Sequence, residues 1–181
     1  GIALYQHMLE EEIMRLKAGE FGEKQKETGD WAPQITTGIP IMIPETYVRD
    51  LGVRLGLYKR IGEIKDKAGL LDMREELIDR FGKLPEEVDN LLKTVEIKQL
   101  CRAANVEKVD AGAKGILLSF HNNVFAAADK LLDFVTKQFG QVKIRPDQKL
   151  FIEKNLESYA VRVETIKNYV GRLAEMLTPK P

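Results

Sequence analysis

The chain has 181 residues, enough for one domain of ordinary size or one domain with an added helix. Lysine plus arginine total 28 and aspartate plus glutamate total 28, so the formal net charge is zero; with 44% hydrophobic and 31% charged residues this is a globular composition, not a disordered one. That balance disfavours a free-standing grip on nucleic acid or an anionic membrane, the single cysteine (Cys101) excludes an internal disulfide and suits a reducing compartment, and no apolar run reaches the roughly 18–20 residues that span a bilayer.

Residues 1–19 are predicted to form an N-terminal linking helix, from about Ile2 to Ala18. Ile2, Tyr5, Leu9, Ile13 and Leu16 recur at three- and four-residue steps and share a face, and Gly19 and Gly22 end the pattern. A chain opening directly on such a helix reads as a piece of a longer protein. Residues 20–33 are polar, glycine-bearing and aperiodic, and predict an exposed loop. Trp31, beside Pro33, either anchors that loop or meets a partner. Residues 34–181 are predicted to form one α+β unit.

Within that unit, Ile35, Ile39, Ile41 and Ile43 suggest an extended segment, which Pro33, Pro40 and Pro44 restrict to a sheet edge. Pro44 then opens a short helical turn. A helix from Leu51 is predicted to turn Leu51, Leu55, Tyr58, Ile61 and Ile64 inward. The next turns Leu70, Met73, Leu77, Ile78 and Phe81 inward and stops at Gly82. Pro85 opens a third, with Glu86 and Glu87 in the first turn, where the helix dipole favours them. Its apolar residues are Val88, Leu91, Leu92, Val95 and Leu100, and it runs to about Ala104.

From Val106 the period changes. Residues 106–120 predict two strands around a turn at Gly112 to Gly115. A helix follows, with Ala128, Leu131, Leu132, Val135 and Phe139 on one side and Gly140 as its stop. A second hairpin turns at Pro146–Asp147. The last helix, about Leu156 to Leu177, carries a narrow stripe of Tyr159, Val163, Ile166, Val170, Leu173 and Leu177. The fold class expected is therefore α+β: a helical first half, then a small, mostly antiparallel sheet (β-β-α-β-β-α) packed on one face by helices.

Catalytic signatures are absent from this sequence. It has no phosphate-cradling P-loop, no Gly-x-Ser-x-Gly and no Cys-x-x-Cys. His7 and His121 are far apart, and neither has a second ligand at metal spacing, so solvated or capping histidines are expected. Cys101 lies in a helix with no positioned base, so burial as a small apolar residue is expected. No catalytic residue, metal or cofactor is assigned to this chain.

Two constellations remain. Asp72, Glu75, Glu76 and Asp79 step by three, one and three on one helix and share a face, with Arg74 and Arg80 nearby. Such a stripe is either a solvated helix face or a docking surface for an arginine-rich patch. In "VRLGLYKRI", Arg54, Lys59 and Arg60 surround Tyr58. A basic group around an aromatic ring can hold nucleic acid by stacking, whereas a core tyrosine flanked by solvated charges that pair with the acidic helix following it is the reading favoured here, because a nucleic-acid footprint needs a broader basic face.

The segments "ALYQHMLEEEI", "IPETYVRDLGVRLGLYKRI" and "LLDMREELIDRFGKLPEEVDNLL" resemble the carboxy-terminal domain of the bacterial transcription-repair coupling factor family. The resemblance is specific from Gly1 to about Ala104 and extends to the second half only in length and pattern. It implies a full protein that is an ATP-driven translocase on double-stranded DNA, releases stalled RNA polymerase and recruits nucleotide excision repair in the bacterial cytoplasm. Its ATP site would lie upstream, in helicase-like domains. The carboxy-terminal domain would be non-catalytic. It would fold back on the amino-terminal, repair-protein-like domain and mask the surface that binds the damage-sensing repair ATPase, as a clamp that must release. The "ELIDR" motif implies that Glu76 and Asp79 contribute to that contact, with Arg80; Asp72 and Glu75 join them by helical geometry alone.

Overall fold

The computed structural model describes residues 31–179; the expected helix at 1–19, most of the loop at 20–33, and His7 lie outside them. The described chain forms β1 (Gln34–Thr36), α1 (Leu51–Gly62), α2 (Lys67–Phe81), α3 (Glu86–Ala103), β2 (Val106–Ala111), β3 (Gly115–Phe120), α4 (Ala128–Lys137), β4 (Val142–Ile144), β5 (Leu150–Glu153) and α5 (Tyr159–Leu177). The five strands make one mixed sheet in the order β1-β2-β3-β5-β4. β1 runs parallel to β2, pairing Ile35 with Val109, and the other three pairings are antiparallel. The α+β class is as expected, and the three prolines do confine the first strand to a short edge.

Two hydrophobic cores lie side by side. One is built from Ile43, Val48, α1, α2 and the first half of α3. The other is built from one face of the sheet, α4, α5 and the second half of α3. α3 serves both because its apolar stripe changes sides. At about 100° per residue, Val88, Leu91, Leu92 and Val95 point one way, while Ile97, Cys101 and the following Ala104 point the opposite way. All seven are buried. A single-faced helix could not join a helical layer to a sheet layer in this manner.

Several side chains expected inside are outside. On α1 the buried face is Arg54, Leu57, Tyr58 and Ile61, and Leu55 is exposed. On α2 Leu70, Met73 and Leu77 are buried, and Ile78 is exposed. On α4 the buried pair is Leu131 and Phe134, whereas Leu132 and Phe139 face solvent. Phe139 lies beyond the end of α4 with φ +51, a left-handed turn that removes it from the helical face, and it is 96% exposed. The last helix starts at Tyr159, capped by Ser158 Oγ accepting from the Val161 N–H, so Tyr159 sits at its solvent edge.

A buried cation ties the sheet edge to the last helix. Arg162, only 6% exposed, donates from Nε to Leu156 O at 2.9 Å and from Nη1 to Thr37 O at 2.7 Å. Its guanidinium lies 5.2 Å from the centre of the Tyr159 ring. Two carbonyls in regions without regular pairing are thereby satisfied. Replacing Arg162 by leucine is expected to destabilise the fold by about 3 kcal/mol, since two hydrogen bonds to a charged group are lost and two carbonyls are left without a donor. Urea unfolding of this variant beside the parent chain measures that difference.

Candidate functional site

The helical hairpin α1–α2 holds nearly all residues singled out from the sequence. Asp50 caps α1, its carboxylate accepting from the Val53 N–H at 2.9 Å, and Asp66 caps α2 by accepting from the Gly69 N–H at 2.7 Å. At the far end of α2, Tyr47 Oη lies 3.0 Å from Leu77 O and 2.8 Å from Gly82 O, tying the segment before α1 to the end of the helix. Gly82, at φ +92, makes the turn away from the helix.

The basic and aromatic group does not assemble into a nucleic-acid surface. Tyr58 is buried, and its Oη accepts from the Ile43 N–H at 2.6 Å. Arg54 is buried too, donating to Val48 O at 2.8 Å and Arg49 O at 3.0 Å. Both residues fasten the segment before α1 to the helix, so neither offers a ring or a charge to a partner. Arg60 is engaged by α2, and Lys59 alone of the four is exposed without a recorded partner among the described residues. The physical reason is steric: the α1 face bearing positions 54, 57, 58 and 61 is the one pressed against the helical core.

The acidic stripe exists but divides in two. Arg60 meets Glu76 with a bidentate fork, Nη1 to Oε2 and Nη2 to Oε1, both at 2.6 Å. Arg80, one turn further along α2, adds a third hydrogen bond to Glu76 Oε2 at 2.9 Å. The Arg60 hydrogen bond, assisted by Arg80, holds the Glu76 carboxyl down at about 2, against an ordinary 4.5 and against the opposing effect of burial. Asp72, Glu75 and Asp79 are exposed on the same face, with no ion pair among the described residues. Leu71 and Ile78, 54% and 45% exposed, border them. The surface is therefore three open carboxylates beside two aliphatic side chains, set on a helix whose fourth carboxylate is tied down internally.

A second ion-pair series braces the hairpin from behind. Arg74 reaches Asp89 on α3 at 2.6 Å, Asp89 also meets Lys93 at 3.1 Å, and Lys93 and Lys167 both approach Glu164 on α5 at 3.8 Å. Lys167 also pairs with Glu96 at 3.1 Å. These pairs run from α2 across α3 to α5, so the stripe-bearing helix is registered against the whole domain.

Cys101 and His121 are both held in structural settings. Cys101 is fully buried, and burial pushes its thiol up to about 12, so it is un-ionised at neutral pH. His121 stacks on Trp31, ring centres 4.8 Å apart, with Nδ1 3.3 Å from Glu107 Oε1. Trp31 thus anchors the chain on the turn that follows β3. Among the described residues no three His, Cys, Asp or Glu side chains are grouped to hold a metal ion, and no helix is long and apolar enough to cross a membrane.

Residues 37–131, which contain the entire hairpin, match the TRCF domain family. The chain belongs to that family. It is 41% identical over 164 residues to the transcription-repair-coupling factor of Rickettsia conorii, covering 91% of this chain and 14% of that protein. With the transcription-repair-coupling factor of Haemophilus influenzae it shares 31% identity over 174 residues, 96% of this chain and 15% of the relative. The chain therefore spans about one seventh of these relatives' length. A crystal structure of the C-terminal domain of transcription-repair coupling factor superposes with a TM-score of 0.67 at 24% identity, over 80% of this chain and 92% of that one. That likeness establishes the TRCF domain fold.

The Glu76 fork has a defined signature in acid. Because the folded value lies below the unfolded one, the stabilisation is complete above about pH 4.5 and is lost as pH falls towards about 2. Glu76→Gln is expected to lower stability by about 1 kcal/mol at neutral pH, a surface fork being worth little more. The difference from the parent chain should shrink through that acid window, which urea unfolding at a series of pH values will follow.

Proposed function

We propose that this TRCF domain is the non-catalytic carboxy-terminal domain of an ATP-driven DNA translocase that releases stalled RNA polymerase and recruits excision repair, and that it acts there as an autoinhibitory clamp. The observation that carries this reading is the divided acidic stripe. Asp72, Glu75 and Asp79 are free for a partner, while Glu76 is held by Arg60 and Arg80. The family resemblance supplies the partner: a basic surface on the amino-terminal, repair-protein-like domain of the same protein, which in the closed state hides the surface for the damage-sensing repair ATPase.

Physical chemistry suits a contact of this kind. Exposed carboxylates meeting arginines give register and specificity, with modest strength per pair. A clamp that must open when the translocase engages RNA polymerase and DNA requires a closed state favoured by a few kcal/mol, since a larger bias would leave no populated open state. Glu76 has a different role from its neighbours in this scheme. Its fork with Arg60 sets the angle of α2 against α1 and so fixes where the open carboxylates lie. Arg80 stays with Glu76, which narrows the docking contribution of the "ELIDR" motif to Asp79.

The test is made in the full-length protein. Asp72→Lys, Glu75→Lys and Asp79→Lys together remove the open charges without breaking an internal pair. At roughly 0.2–1 kcal/mol per exposed pair, binding of the damage-sensing repair ATPase should tighten by about threefold to a hundredfold. Unchanged binding, with the domain still folded, would mean that the stripe is a solvated face.

A further inference from the structure

A pocket of about 200 Å³, with no residue of the acidic hairpin in its lining, opens between the end of α4, the residue that follows β5 and one side of α5. It is lined by Gln138, Lys154, Thr165, Asn168, Tyr169 and Arg172. No carboxylate is among them. Two cations, two amides and a phenol therefore border one concavity, together with Thr165, whose hydroxyl already donates to Val161 O at 2.6 Å.

The two cations differ from their neighbours. On α3, α4 and α5 respectively, Lys93, Lys137 and Lys167 are each within ion-pair distance of a carboxylate. Lys154 and Arg172 have no such partner among the described residues. Their positions are nonetheless held. The Lys154 backbone N–H donates to Lys114 O at 3.2 Å, and the Gln138 N–H donates to Val135 O at 3.2 Å. The Arg172 guanidinium lies 5.9 Å from the centre of the Phe134 ring, and Phe134 packs edge-on against Tyr169 at 6.0 Å. The cationic lining thus rests on the ends of regular elements and on an aromatic pair.

We propose that this pocket binds a phosphate group. A guanidinium fork, an ammonium, two amide NH2 groups and a phenolic OH supply more donors than the two oxygens of a carboxylate can accept. A phosphate group, with three terminal oxygens and up to two negative charges, can accept from them in several directions. The group would come either from a small phosphorylated ligand or from the backbone of a nucleic acid.

The test is an NMR titration of the isotopically labelled 181-residue chain with inorganic phosphate at constant ionic strength, chloride serving as the screening control. Saturable shifts confined to residues 138, 154 and 165–172 are expected, with apparent affinity falling at least tenfold in the Lys154→Met, Arg172→Met double variant. Both positions are exposed and methionine keeps most of the aliphatic stem, so the fold is expected to persist, with the remaining resonances as the check. A short DNA duplex added to the phosphate-loaded chain distinguishes the sources: displacement at the same resonances assigns the site to a nucleic-acid backbone, and no displacement assigns it to a small phosphorylated ligand. Shifts that are linear, scattered over surface lysines, or unchanged in the double variant would overturn the proposal.

Discussion

The architecture depends on α3, one helix that is buried on opposite sides along its length. Its first half closes the helical core through Val88, Leu91, Leu92 and Val95, and its second half closes the sheet core through Ile97 and Cys101. An α-helix of 18 residues is about 27 Å long, enough to lie across both layers. Neither layer is large. The α1–α2 hairpin alone has one apolar face and needs α3 to cover it, and the sheet needs α3 and α5 for the same purpose. A cavity at any residue of this stripe would loosen the junction as well as one core.

In the proposed clamp, that junction is what would position the hairpin. The charges on α2 are not spread on a flexible arm. They sit on a helix capped at both ends, buried through Leu70, Met73 and Leu77 in the core that α3 also enters, and indexed by Arg74 to Asp89 and by Arg60 to Glu76. Individually, such ion pairs contribute little to stability at a wet surface. Their geometric effect is larger, since each discriminates against a helix rotated or slid by one residue. A docking surface made of a few exposed carboxylates requires that accuracy, because charge complementarity acts on specificity before strength.

The two polar surfaces described here are opposite in sign and share no residue. The acidic hairpin suits a basic protein surface and the Lys154–Arg172 pocket suits an anion, so a chain of zero net charge can still present two selective electrostatic faces. In the proposed clamp the domain would engage its own protein through one face while the other remained accessible.

Much of this was legible from the amino-acid sequence, because local rules govern it. Prolines at 33, 40 and 44 restrict a strand to an edge whatever surrounds it, Gly82 and Pro85 punctuate two helices, and a change of period at Val106 marks the start of the sheet. The motifs on α1 and α2 pointed to the TRCF domain family for the same reason, since residue types at fixed spacing survive without coordinates. Tertiary structure decided which of two overlapping stripes turns inward on α1 and α4, since a 3.6-residue period allows Leu55 or Leu57, and Leu132 or Phe134, to be the buried one. It also decided that Arg54 is a buried fastener and not a solvated charge, and that the expected pairing of the basic group with the acidic helix falls on Arg60 and Glu76, because helical spacing relates residues only within one helix. The pocket beside α5 had no sequence signal at all: its lining comes from three elements, between residues 138 and 172, that only the packed sheet and helices bring together.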